Sequence, residues 1–155
     1  KSEVARAFGR KFLGYELWVA KGKEVKCAVA RKALDNFKAR IRQLTRRVGG
    51  RSMAQVVDKL RPYLLGWKAY FGLAQTPGVW RELDEWLRHR LRAIQLKQWK
   101  RPRTIHRELK ALGASQDVAK QVAGNSRRWW RNSDRLLKTV LTIAYFDQLG
   151  VPRLS

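Results

Sequence analysis

The sequence predicts a mainly α fold: a helical bundle preceded by one β-hairpin, with a smaller helical C-terminal region. Three observations carry this expectation. Apolar and polar residues alternate with period two only between residues 12 and 29. From Ala30 onward the apolar spacing becomes three-and-four, the mark of helices buried along one face. The last three helical stretches close at Gly113, Gly124 and Gly150.

The first strand-like run is Phe12-Leu13-Gly14-Tyr15-Glu16-Leu17-Trp18 and the second is Val25-Lys26-Cys27-Ala28-Val29, with a turn at Lys21-Gly22-Lys23. Ala33, Leu34, Phe37, Ile41, Leu44 and Val48 then form one apolar helix face, ended by Gly49-Gly50. Ser52 is placed to cap a second helix over residues 53–72, whose core stripe is Met53, Val56, Leu60, Leu64, Trp67 and Phe71. Pro62 lacks an N–H and disfavours helical geometry at Arg61, which predicts a kink or a break there. Thr76-Pro77 reads as a cap followed by proline at the first helical position. The helix it opens has Val79, Leu83, Trp86, Leu87, Leu91 and Ile94 at core spacing. Shorter helices are expected over 104–112, 115–123 and 133–149, the last with Leu136, Leu137, Val140, Leu141, Ala144 and Tyr145 inward.

A chain of 155 residues, 45% hydrophobic and with seven Trp, can bury a real core. The formal charge of +23 is its extreme feature. Self-repulsion on that scale destabilises a compact fold unless a polyanion is bound, so nucleic acid is the expected partner, ahead of an anionic membrane surface. No run of about 18 apolar residues occurs, and no transmembrane helix is expected. The opening Lys-Ser-Glu-Val has neither Met nor an apolar signal region and reads as a cut from a longer chain. Cys27 is the lone cysteine, which excludes an internal disulfide, fits a reducing cytosol and reads as a buried filler. Only His89 and His106 accompany it, so neither a zinc site nor another cofactor is expected.

The charge has a pattern. Lys38, Arg42 and Arg46 stand four apart on the first helix, opposite its apolar face. Lys68 projects away from the second helix's core stripe, with Tyr63 and Tyr70 on its flank. Between Glu85 and Glu108 there is no carboxylate, and that window holds Arg88, Arg90, Arg92, Lys97, Lys100, Arg101, Arg103 and Arg107 interleaved with Trp99. Cations of one sign suit phosphate tracking, and an indole face can stack on an unpaired base. The window is therefore the expected main contact. Arg127-Arg128-Trp129-Trp130-Arg131 repeats the combination, although adjacent Trp residues serve equally to anchor the last helix to the core. Catalytic signals are poor. Asp84 and Glu85 diverge on a helix, and Asp117, Asp134 and Asp147 stand isolated, with Asp134 suited to a helix N-terminus. No catalytic residue and no metal ligand is assigned.

Several of these pieces align, in order, with one family. Phe12-Leu13-Gly14-Tyr15 resembles the hairpin that ends the palm of group II intron reverse transcriptases. Residues 31–48 resemble the first helix of the thumb, or domain X. Residues 62–71, Pro-Tyr-Leu-Leu-Gly-Trp-Lys-Ala-Tyr-Phe, with Thr76-Pro77 resemble the maturase-specific signature of its second helix. Leu83-Asp84, Trp86, Arg88, Arg90 and Trp99-Lys100 are similar to the third. Gly124-Asn125-Ser126 through Trp130-Arg131, and Leu149-Gly150, look like the C-terminal tail of bacterial members.

The resemblance implies a thumb-like bundle and a division of the chain. Residues 1–29 would end a palm-like segment, 30–101 would form the maturase-specific thumb, and 102–155 a DNA-binding-like helical region. The family's catalytic Tyr-Ala-Asp-Asp motif lies upstream of such a hairpin and does not occur in this sequence, nor does the His-Asn-His endonuclease of some members. What is implied is the binding half: group II intron RNA gripped to aid splicing, and template-primer or target DNA held for reverse transcription and retrohoming. Upstream fingers and palm would be its neighbours, in a bacterial cytoplasm. On this reading Lys38, Arg42, Arg46, Lys68, Tyr70, Arg88, Arg92, Lys97, Trp99, Lys100, Arg101, Arg103 and Arg107 meet RNA, and Arg127, Arg128 and Arg131 meet DNA. Two alternatives stay open: a small metal-dependent nuclease using Asp84, Glu85 and His89, and a stand-alone basic protein that compacts nucleic acid.

Overall fold

The computed structural model describes residues 11–46 and 50–155. It is mainly α with an antiparallel hairpin in front. Strands β1 (Lys11–Phe12), β2 (Tyr15–Val19) and β3 (Val25–Val29) lie in that order, with Tyr15 opposite Val29 and Val19 opposite Val25. The turn at 21–23 is closed by Ala20 N–H to the Glu24 carbonyl, 2.9 Å. The expected continuous strand over 12–18 is instead folded back at Leu13-Gly14, where φ is +51° and +84°. A two-residue turn of this hand matches the twist of the strands it joins. Glycine is needed there twice over, because a Cβ at Gly14 would also lie 3.1 Å from the Phe71 ring.

Helix α1 (Arg31–Leu44) buries Phe37 and Ile41, while Val48 and Gly49 lie outside the described residues. Helix α2 (Met53–Tyr70) begins with a reciprocal cap: the Ser52 hydroxyl accepts the Gln55 N–H and the Gln55 side chain accepts the Ser52 N–H. It runs through Pro62 without the expected break. Pro62 and Asp58, four residues earlier, are both exposed, so the carbonyl deprived of a donor can bond to water. The buried row Met53, Val56, Leu60, Leu64, Trp67 continues past the helix end into Phe71. Trp67 is the centre of an aromatic cluster, with ring centroids 4.3 Å from Phe37, 4.7 Å from Phe71 and 5.2 Å from Trp80.

Helix α3 (Pro77–Trp99) is the spine, and every residue from Leu91 to Leu96 is buried because other helices cover several of its sides. Thr76 holds the cap position, yet its hydroxyl makes no cap bond and is buried without a partner among the described residues. Helix α4 (Pro102–Ala111) and helix α5 (Gln116–Gly124) pack against each other, with Ser115 capping the second. The expected helix over 133–149 is not one element. It is divided into the end of α6 (Trp129–Asp134), a 3₁₀ turn (Leu136–Thr139) and α7 (Ile143–Gln148). Thr142 explains the restart, since its hydroxyl accepts the Tyr145 N–H as a new N-cap. The restart re-phases the inward face, so that Phe146 is buried and Ala144 exposed. Asp134 ends α6 rather than opening a helix, and it pairs with Lys138 at 3.1 Å.

The final residues return to the core. Gly150, at φ +89°, ends α7 with Gly150 N–H on the Asp147 carbonyl and Val151 N–H on the Phe146 carbonyl. The chain then crosses to α3, where the Asp84 carboxylate accepts the Leu154 N–H at 3.1 Å, the Ser155 N–H at 2.9 Å and the Ser155 hydroxyl at 2.8 Å. One apolar cluster thus extends from Val29 to Leu154.

Candidate RNA-binding surface

A cleft of about 690 Å³ opens where the end of α1, the start of α2 and the last turns of α3 meet. Arg46, Arg51, Lys97 and Lys100 line it, over a floor that includes Met53, Val56 and Ile94. No carboxylate occurs among its described lining residues. Local sequence chemistry sets each position. Thr45 ends α1 by turning its hydroxyl onto the Ile41 carbonyl, and Arg46 follows exposed. The Ser52 cap fixes the start of α2, and the Gln98 amide donates to the Arg51 carbonyl at 2.9 Å. Lys100 closes α3 in the left-handed region, φ +60°, with its N–H on the Leu96 carbonyl. Arg101 and Arg103 stand exposed on the next turn of chain. Cations without a carboxylate partner among the described residues, around an apolar and amide floor, are suited to phosphates outside and bases within.

The row Lys38, Arg42 and Arg46 leads out of this cleft, but it does not lie opposite the core as expected. It follows the seam between α1 and α3. Lys38 pairs with Glu82 at 3.5 Å, and Arg90 donates to the Thr45 hydroxyl at 3.1 and 3.0 Å. Between these rungs the Trp86 ring carries Lys38, Arg42 and Arg90 at 5.9, 5.5 and 5.4 Å from its centroid.

Other residues expected at the RNA have partners within the fold, and two of them are buried. Arg88 is 1% exposed, bonded through Nη1 to Asp84 at 2.8 Å and through Nη2 to Asp147 at 3.2 Å. Arg92 is 4% exposed, and its Nε donates to the Leu141 carbonyl at 2.8 Å. Burial, with the nearby Arg88 charge behind it, pulls the Arg92 pKa down. Both guanidinium groups are committed to partners inside the fold. Their face of α3 is turned toward the C-terminal elements, and the carboxylates that neutralise Arg88 come from outside the carboxylate-free window. Asp147, expected to be isolated, also accepts from Arg153; that bond first, and the one from Arg88, hold its carboxyl below the usual range. Lys68 donates to the Arg153 carbonyl at 2.9 Å, and the Tyr70 hydroxyl to the Leu13 carbonyl at 2.9 Å. These two tie down the tail and the hairpin. Trp99 is half-buried on the core, Arg107 pairs with Glu108 at 2.7 Å, and Cys27 is half-buried rather than buried. Arg51 was missed by the sequence reading, since it belongs to no stripe or window.

At the C-terminal end Arg128 and Arg131 line a polar groove of about 290 Å³ with Arg135, Gln121, Asn125 and Asn132. Arg127 is exposed beside it. The Trp pair divides its roles: Trp129 packs on the core, whereas Trp130, 41% exposed, stacks on His89 at 3.8 Å. The nuclease trio does not converge, because Asp84 is committed to the tail, Glu85 is exposed and His89 lies under Trp130. Among the described residues no group of three or more His, Cys, Asp or Glu is placed to hold a metal ion, and no helix is long and apolar enough to cross a membrane.

No curated protein matches this chain. The family model of the group II intron maturase-specific domain matches residues 34–113, just over half of the chain. The matched stretch contains the cleft, the Trp86 seam and the buried Asp84–Arg88 pair. This chain belongs to the group II intron maturase-specific domain family.

Proposed function

We propose that this chain is a non-catalytic RNA-gripping maturase and thumb module of a group II intron reverse transcriptase. It binds intron RNA to aid splicing and holds template-primer during reverse transcription and retrohoming. The cleft formed by Arg46, Arg51, Lys97 and Lys100 carries the reading, being basic, without a carboxylate among its described lining residues, and inside the family's matched region. Arg101 and Arg103 extend it, and the groove around Arg128, Arg131 and Arg135 is assigned to target DNA. The net charge of +23 supports a polyanionic partner. If roughly six to ten phosphates are neutralised, affinity falls about a thousandfold or more between 50 and 200 mM salt.

The test is the triple variant Arg51→Gln, Lys97→Gln, Lys100→Gln, titrated with group II intron RNA across that salt range. Three lost phosphate contacts should flatten the log–log salt slope by about 2 to 3. An unchanged slope would remove the cleft from the interface.

A further inference from the structure

We propose that Trp86 is a positioning residue of the RNA-binding surface: its ring holds Arg42, with Lys38 and Arg90, as a pre-ordered cationic row that extends the cleft along the α1–α3 seam. The proposal rests on the reading of this surface as an RNA contact. Its basis is geometric. Trp86 is half-buried and packs against the core, so the fold fixes the ring itself. Three cations lie within 5.9 Å of its centroid, drawn from two different helices. Arg90 is anchored a second time on the buried Thr45. The carboxylate in the row, Glu82, sits at the Lys38 end, away from the cleft.

A core helix position facing a neighbouring helix needs only apolar volume, which leucine would supply. An indole there adds a negative ring face that attracts cations. The benefit appears on binding. A long arginine loses side-chain freedom when it captures a phosphate, and that loss is smaller when the guanidinium is already held in place. Arg42 is exposed and four residues from Arg46 on the cleft wall, so an ordered Arg42 continues the same track by one helical turn.

The experiment compares Trp86→Phe, Trp86→Leu, Arg42→Gln and Arg42→Gln combined with Trp86→Leu. Affinity for group II intron RNA is measured at one salt concentration. Trp86→Leu should weaken binding about three- to tenfold, and Trp86→Phe should stay within about twofold of the parent. Arg42→Gln should cost less in the Leu background than in the parent. Equal affinity of Trp86→Leu and parent, equal loss in Phe and Leu, or an unchanged Arg42 effect would each overturn the proposal. If the parent itself fails to bind RNA, the functional reading fails instead. A second measurement covers that case and any failure of Trp86→Leu to fold: the NMR signals of Arg42 in the free parent. Ring-shifted, restricted side-chain signals support positioning by Trp86, and random-coil signals refute it.

Discussion

Arg88→Met should unfold the domain early while leaving RNA affinity unchanged. The guanidinium bridges Asp84 and Asp147, whose side chains are 10% and 28% exposed. Removing one partner of a buried ion pair costs about 3–5 kcal/mol, because a charge is stranded in the interior. Here the lower end is expected, for three reasons. Asp84 keeps the donors of Leu154 and Ser155, and Asp147 keeps Arg153. Methionine also removes the Arg88 Nε, which is buried without a partner among the described residues. A loss of about 3 kcal/mol lowers the melting temperature of a chain this size by about 6–12 °C. Adding Asp84→Asn should recover about 1–2 kcal/mol, since it discharges the stranded carboxylate and keeps an acceptor for the tail amides. Thermal unfolding by near-ultraviolet circular dichroism gives the stability, and RNA titration well below the melting point gives the affinity. A variant that melts within about 2 °C of the parent yet binds RNA tenfold more weakly would refute the burial argument and return Arg88 to the interface.

Two further outcomes follow from the same structure. Gly14→Ala forces a side chain into a φ of +84° and against the Phe71 ring at 3.1 Å, so a loss of about 1–3 kcal/mol is expected in chemical denaturation; a loss under about 0.5 kcal/mol would contradict the turn geometry. Acid should also destabilise the fold through Asp147, whose carboxyl is depressed by Arg153 and Arg88. A depressed folded-state value gives stability that is complete above the unfolded carboxylate pKa, about 4, and is lost as the pH falls below it. Asp147→Asn should therefore be less stable than the parent at pH 7 and lose less between pH 5 and pH 3, and parallel losses in melting scans would contradict the linkage.

The legible part of the fold was local. The stripe from Met53 to Phe71, the Ser52 cap and the stops at Gly113 and Gly150 act through neighbours one turn away, and each formed as the spacing indicates. The helix does not break at Pro62 because the cost there depends on whether the freed carbonyl reaches water, which periodicity does not report. The run from Ser133 to Leu149 was misjudged because Thr142 gains more as a cap than as a helix interior residue. The candidate site divided in the same way. Arg46 from the α1 row and Lys97 and Lys100 from the carboxylate-free window line one cleft, a meeting that neither pattern alone indicates. Arg88 does not join them, since its partner Asp147 is 59 residues away. Counting charges in a sequence window sees neither that partner nor the tail that folds onto Asp84.

The central claim is that intron RNA lies in the cleft between α1, α2 and α3. Ultraviolet cross-linking of the parent to group II intron RNA, with the linked peptides sequenced by mass spectrometry, tests it directly. Cross-links should fall in peptides covering residues 42–53 and 95–103, and excess unlabelled intron RNA should displace them better than an unrelated folded RNA of equal length. Cross-links confined to residues 125–136, or equal displacement by both competitors, would contradict the claim.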